Sequence, residues 1–196
     1  LWDWVPRIEL PESTPSKAEA GAQYGYSALP LRYLGDELMD DIRGGGHNVI
    51  NSVFIECMTM YRASGGVNAS VGETEFANGI AAMADSNLYG QDARCCGAIV
   101  GFADLTLGAA VEPVLLAHQA ASLRFRGIRH AFAWHASPDI GNAQHPPEDN
   151  QGLLAREDFR AGFVVLDRLG LNFDCWGYHT QLAEVEDLAR AFPGVT

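Results

Sequence analysis

The chain has 196 residues, of which 47% are hydrophobic, so it can bury a substantial core within one domain. Its 25 acidic residues outnumber 13 basic ones, and the formal net charge of −12 argues against nucleic acid or an anionic membrane as the main partner. A small-molecule substrate fits better. The apolar stretches are short and interrupted, and the N-terminus lacks a signal-like pattern, so we expect a soluble chain.

Four cysteines lie in or beside apolar runs, without the spacing of a zinc site or of a secreted disulfide framework. We therefore expect buried free thiols in a reducing, cytoplasmic setting. The chain begins at Leu1, and its last residues resemble a helix that gives way to a new strand. We interpret residues 1–196 as a single domain that is truncated at both ends.

The chain alternates between strand-like and helix-like segments. Four nearly continuous apolar runs predict strands at residues 49–56, 97–104, 125–132 and 172–178. Apolar residues recur every three or four positions at 74–86, 111–121, 159–169 and 182–192, and this predicts four helices. Strand followed by helix, four times over, predicts parallel strands with flanking helices. The connections 57–72 and 133–152 are long enough to indicate function.

In parallel α/β folds, ligands bind at the carboxyl ends of the strands, where the βα loops converge. Seven residues with polar or aromatic side chains fall at these predicted ends: Glu56, Asp104, Arg129, His130, Trp134, His135 and His179. Of the two histidines that lie beyond the strand ends, His135 is a weaker candidate than His179 because it sits in a long loop. The sequence therefore predicts one rim that carries groups suited to acid–base work and oxyanion stabilisation.

The same residues also have structural interpretations. His179 could reach a metal or a substrate oxygen, or it could simply close a strand with a hydrogen bond. A buried Arg129 in a barrel needs a compensating partner, which is either a carboxylate or carbonyl oxygen of the substrate, or an acid on a neighbouring strand such as Glu56 or Asp104. For Glu56 we favour the structural role, and Asp104 remains open between the two.

Other polar features are given structural roles. Three further histidines, His47, His118 and His145, are interpreted as surface or loop residues without function. Residues 44–46 are three glycines that precede a strand, so we interpret them as a helix stop and turn instead of a phosphate-binding loop. The chain has no nucleophile elbow, no Walker-type loop and no His-Glu-x-x-His pair.

Several segments together resemble the amidohydrolase-related (amidohydrolase 2) family, which comprises predicted metal-dependent TIM-barrel hydrolases that include lactonases. The matching segments lie at 53–57, 60–62, 72–79, 101–105, 124–130 and 173–182. Leu1-Trp2-Asp3 is similar to the end of the family's opening His-x-His-Leu-Trp-Asp segment. The resemblance implies a partial (β/α)₈ TIM barrel.

By position, the resemblance implies that His179 is the histidine that closes the fifth barrel strand and that Arg129 contacts substrate oxygens. From their predicted positions at the strand ends, His130, Glu56, Trp134 and Asp104 are also expected to line the substrate site. Family members differ in their need for a divalent metal, so His179 would either bind zinc or a similar ion or act without one. A departure lies at Trp134-His135, where the family pattern has an acidic residue after the tryptophan.

The function implied by the resemblance is attack of an activated water on a lactone, ester or amide carbonyl in a small carboxylated substrate. Arg129 and His179 would stabilise the oxyanion. A non-oxidative decarboxylase of the same superfamily is the near alternative. The third alternative is a catalytically silent fragment that only binds a ligand or a partner. An open half-barrel exposes sheet edges and apolar surface, and these favour association, including association into a homo-oligomer.

Overall fold

The computed structural model describes residues 1–3, 32–90, 93–137, 139–142, 145 and 150–196. Two short strands, β1 (Trp2–Asp3) and β2 (Arg32–Tyr33), pair antiparallel and bring the start of the chain beside residues 32–33. Residues 4–31 lie outside the described residues, as do residues 138, 143–144 and 146–149 of the predicted connection 133–152.

A four-stranded parallel sheet forms the centre of the molecule. Its strands are β3 (Val53–Ile55), β4 (Ala98–Gly101), β5 (Phe125–Arg129) and β6 (Asn172–Asp174), and they lie side by side in chain order. The prediction of four parallel strands is confirmed. Each observed strand is shorter than predicted, because residues at the ends of the apolar runs belong to the connecting loops.

Among the described residues, five α-helices accompany the sheet: α1 (Gly35–Gly44), α2 (Val71–Asp85), α3 (Glu112–Ala121), α4 (Glu157–Arg168) and α5 (Leu182–Ala191). The four predicted helices are confirmed as α2 to α5. Gly170 has a φ of +65°, which suits glycine and ends α4 as predicted. Helix α1 was not predicted, although its end at Gly44 agrees with the expected stop in the glycine triplet.

The two faces of the sheet differ in their cover. Phe54 pairs with Ile99, and Ile128 with Phe173, in rows that are buried beneath the helices. The opposite rows contain Val53, Ile55, Val100, Gly127, Arg129 and their partners, and Val53 is 58% exposed. We call the first the covered face and the second the open face.

The described chain is thus a mixed α/β structure with a parallel four-stranded sheet and helices. At the outer edge of β6, the Phe173 N–H donates to the Thr196 carbonyl oxygen at 2.9 Å, so the last residue lies beside that strand. Among the described helices, none is both long and apolar enough to cross a membrane. All four cysteines are free thiols, but Cys175 is exposed because β6 ends at Asp174, so the prediction of burial is wrong there.

Candidate functional site

Glu56 follows β3 and continues its covered face, where it is only 4% exposed. Its Oε2 lies 3.1 Å from Nε2 of His145, which is also buried. The Nδ1 atom of His145 accepts the N–H of Ala131 at 2.9 Å. These bonds assign the ring proton to Nε2, so a neutral His145 ties the loop after β5 to the end of β3.

His130 lies on the same side of the sheet, one residue beyond β5, and is fully buried. Its Nδ1 accepts the N–H of Leu105 at 3.2 Å. The ring centroid of Phe102 lies 5.4 Å from that of His130 and 4.3 Å from that of His145, and the two histidine rings lie 6.0 Å apart. Glu56 and His130 are therefore brought into one buried cluster, with His145 as the bridge.

Glu73, in the first turn of α2, is a second buried carboxyl group at this end of the sheet. Its Oε1 accepts the N–H groups of Cys57 at 2.9 Å and Thr59 at 3.0 Å. The pKa of Glu73 is raised to about 7: burial raises it most, the N–H donors of Thr59 and Cys57 lower it, and nearby Glu56 raises it by a smaller amount. Its Oε2 is buried without a hydrogen-bond partner among the described atoms.

His118 on α3 is the third buried imidazole. Its Nε2 lies 3.0 Å from the Phe102 carbonyl oxygen, and its Nδ1 lies 2.8 Å from Oγ1 of Thr74. Burial lowers the pKa of His118 to about 4, so the ring is neutral at pH 7. The interpretation of His118 as a surface residue is wrong because the apolar side of α3 carries it into the core. His145 is a loop residue, but it is also buried, whereas His47 is exposed as expected.

Arg129 ends β5 on the open face, beside its strand partner Asp174. Its Nε donates to Asp174 Oδ1 at 2.6 Å, and the two side chains are 20% and 32% exposed. The guanidinium carbon lies 5.3 Å from the ring centroid of Trp176, in a cation–π arrangement. The acid on a neighbouring strand is therefore Asp174, and not the Glu56 or Asp104 that the sequence suggested.

The loops after β5 and β6 are joined by Gln181, which is 4% exposed. Its Oε1 accepts the N–H of Trp134 at 3.0 Å and that of Tyr178 at 3.2 Å, while its Nε2 donates to the Phe132 carbonyl oxygen at 2.9 Å. Trp134 is thus held through its backbone, with its side chain half-buried. Gln181 was missed in the sequence because an amide in a polar turn carries no distinctive pattern.

The remaining candidates lie at the same end of the sheet in different settings. Asp104 accepts the N–H and the hydroxyl of Thr106 and caps the 3₁₀ helix Leu105–Val111, so its carboxylate serves the local fold. His135 accepts the Ser137 N–H through Nδ1. His179 opens the 3₁₀ helix His179–Gln181 and is exposed.

Three of the seven candidate residues fall into two groups, and the other four belong to neither. Glu56 and His130 belong to the buried cluster, while Arg129 lies with Asp174 and Trp176 on the open face. Within the described ranges, no three His, Cys, Asp or Glu side chains are arranged to hold a metal ion. His179 is an exposed single donor, and the described residues around it do not complete a metal site.

Comparison with known proteins gives one distant relative to report. The chain is 26% identical over 172 residues to the "Uncharacterized protein y4mH" of Sinorhizobium fredii (strain NBRC 101917 / NGR234). The alignment covers 87% of this chain and 49% of the relative, so the chain spans about half the length of the curated relative it matches. No family model matches the chain. No solved structure matches it either.

Proposed function

We propose that the chain forms part of a (β/α)₈-barrel hydrolase of the amidohydrolase-related type, which opens a lactone or cleaves an ester or amide in a small carboxylated substrate. The observation that carries the proposal is Arg129, a partly exposed cation on the open face at the carboxyl end of the sheet. In parallel barrels, this is the end at which substrates bind.

The arrangement around Arg129 supports binding of an anion. Asp174 takes the Nε hydrogen and fixes the guanidinium plane, and the two terminal nitrogens carry the donors that match a carboxylate in a bidentate manner. Trp176, which is 46% exposed, offers an apolar surface beside the cation. A planar carboxylated ester fits both features, with its charge on Arg129 and its ring against the indole.

The sheet supports the barrel part of the proposal. Its strands follow one another in chain order, and one face is covered by helices while the other is open. In a closed barrel the covered face packs against the helix ring, and the open face becomes the interior. Further strands would then enclose Val53, Ile55 and Val100.

In the proposed reaction, a general base takes a proton from water as the water oxygen attacks the substrate carbonyl carbon, and negative charge develops on the carbonyl oxygen. The tetrahedral intermediate then collapses with cleavage of the C–O or C–N bond, and the proton passes to the leaving oxygen or nitrogen. Arg129 would stabilise the carbonyl oxygen or hold the substrate carboxylate, and His179, two residues before the Gln181 anchor, would approach from the next loop. Asp174 acts through Arg129 and is a positioning residue. The described residues do not complete a metal site, so no step here depends on one.

The test is an assay of the purified protein against carboxylated lactones, esters, amides and aromatic acids, with and without added zinc. Arg129→Lys is compared with Arg126→Lys, a matched control on the same strand whose exposed side chain binds only backbone carbonyls of the described chain. We expect the Arg129 variant to lose about 10²-fold in kcat/KM and the control to lose little. Release of carbon dioxide without carbonyl hydrolysis would identify a decarboxylase, and binding without turnover would leave only a binding role. Either result rejects the hydrolase.

A further inference from the structure

A cavity of about 640 Å³ opens at the amino end of the sheet, opposite to the end that carries Arg129. Its walls come from three parts of the chain: the last turn of α1, the loop that enters β3, and the connection between α2 and β4. This volume lies within the range of roughly 300–1,000 Å³ that small-molecule sites occupy. The cavity is therefore large enough for an organic ligand.

Hydrogen bonds hold the walls of this cavity together. The Nη2 atom of Arg43, in the last turn of α1, donates to the Tyr89 carbonyl oxygen in the turn after α2. The Nη1 atom of Arg43 donates to Asp40 Oδ1 at 2.9 Å. The Arg94 N–H donates to the Ile50 carbonyl oxygen at 3.0 Å and joins the loop before β3 to the segment before β4. The walls are thus fixed by the fold itself, which lowers the entropic cost of binding a ligand.

The polar side chains that line the cavity can all donate hydrogen bonds. Two of the five guanidinium hydrogens of Arg43 are used in the bonds just described, so three remain for a ligand. Asn48 and Asn87 add amide groups, and His47 adds an imidazole. Within the described residues, none of these three side chains has a hydrogen-bond partner. Because the donors belong to three chain segments, they can surround a ligand from several directions.

The charge of this lining contrasts with that of the whole chain. No Asp or Glu belongs to the described lining, although the chain has 25 acidic residues and a net charge of −12. The dipoles of α1 and α2 work against an anion here, because both helices end near the cavity. Arg43 therefore has to supply the attraction for an anion. Val49 and Ile50 add apolar surface to the wall before β3, and Ile50 is 72% exposed.

We propose that this cavity binds a small organic phosphate, with the phosphate group on Arg43 and a planar ring against Val49 and Ile50. A phosphate monoester carries a charge of about −1.5 to −2 at pH 7 and accepts hydrogen bonds through three terminal oxygens. It can therefore use donors from several directions, whereas a planar carboxylate is matched best by a single fork of donors. The site lies at the amino end of the sheet, so it does not depend on the reaction proposed above.

The experiment is isothermal titration calorimetry of the purified chain at about pH 7.5, where a phosphate monoester is mostly dianionic. The probes are adenosine monophosphate, adenosine and inorganic phosphate. We expect adenosine monophosphate to bind at least about tenfold more tightly than either of the others, because only it has both the charge and the ring. Equal binding of adenosine would remove the phosphate from the proposal, and equal binding of inorganic phosphate would remove the apolar wall. Failure of adenosine monophosphate to bind overturns the site.

Two variants locate the bound nucleotide. Arg43→Gln removes the cation, and Asn48→Asp places a carboxylate in the cavity with almost no change in size, so each should weaken binding by about tenfold or more. The matched control is Arg190→Gln, because Arg190 lies in the last turn of α5 and pairs with Glu186 about one turn earlier, as Arg43 does with Asp40 on α1.

All three substitutions change the net charge equally, so a general charge effect would weaken binding to the same extent in each variant. Unaltered binding in Arg43→Gln or in Asn48→Asp contradicts the proposal, as does an equal loss in Arg190→Gln. Asn48→Asp decides the question by itself if Arg43→Gln does not fold, because the Asn48 side chain makes no hydrogen bond within the described residues.

Discussion

The covered and open faces both have polar groups at the same end of the sheet, but the two sets of groups differ in burial and in hydrogen bonding. On the covered face, Glu56, His130 and His145 are almost fully buried, and each has a hydrogen-bond partner within the chain. On the open face, Arg129 and Asp174 retain exposed surface. Buried and bonded groups hold the loops in place, and the partly exposed pair remains available to a ligand. Substitutions on the covered face should therefore affect stability first.

The largest loss of stability is expected for His145→Ala. The substitution removes the acceptor of the Ala131 N–H and the donor to Glu56, and it leaves a buried carboxyl group and a buried amide without these partners. We expect the free energy of unfolding to fall by about 3 kcal/mol or more. Urea denaturation followed by circular dichroism measures the difference.

The matched control for this change is His47→Ala. His47 is exposed, so its removal should change the free energy of unfolding by less than about 0.5 kcal/mol. Equal effects of the two substitutions would contradict a structural role for His145.

The next effect is a pH dependence that arises from His118. Its folded pKa is lowered to about 4 by burial, while an unfolded histidine titrates at about 6.5. Between these values the unfolded state binds the extra proton, so the stabilising contribution is complete above pH 6.5 and is lost as the pH falls towards 4. The loss is about 3 kcal/mol at pH 4.

Glu73 acts in the opposite direction, because its raised pKa gives stability that is complete below about 4.5 and is lost as the pH rises through 7. The contribution of His118 is therefore isolated by comparing the protein with His118→Gln in urea denaturation at several pH values. The variant should be less stable at pH 7 and should lose less on acidification, whereas His47→Gln should follow the original curve. Parallel curves for His118→Gln and the original protein would show that His118 does not titrate in this way.

Local sequence patterns predicted the strands and most of the helices, but they did not predict the partners of the buried and charged side chains. Four strands and four helices followed from the apolar patterns, because the pattern of buried residues is local in the sequence. The partners of Glu56, Arg129 and His118 are 89, 45 and 44 residues away, so no local pattern identifies them. Helix α1 was missed because its segment has few apolar positions, and Glu73 was missed because a carboxylate in the first turn of a helix is commonly exposed.

A smaller effect is expected from Gln181→Leu, at the junction between the loops after β5 and β6. Leucine fills a similar volume but leaves the Phe132 carbonyl and the N–H groups of Trp134 and Tyr178 without their partner. We expect a loss of about 2 kcal/mol, together with faster amide exchange at residues 134 and 178. Thr180→Ala, in the same turn but exposed, is the control and should change neither quantity. Unchanged exchange in Gln181→Leu would show that the two loops are held by other contacts.

The smallest effect on stability is expected for Arg129→Gln, and this separates the two faces most directly. The ion pair with Asp174 is partly exposed, so its loss should lower the free energy of unfolding by less than about 1 kcal/mol. Binding of a carboxylated ligand, measured by calorimetry, should nevertheless fall by about tenfold or more, because a charge-assisted bidentate contact is removed. Arg126→Gln should leave binding unchanged. A large loss of stability with unaltered binding would make Arg129 part of the architecture, in the same class as Glu56 and His145, and would remove the reason to look for a ligand on the open face.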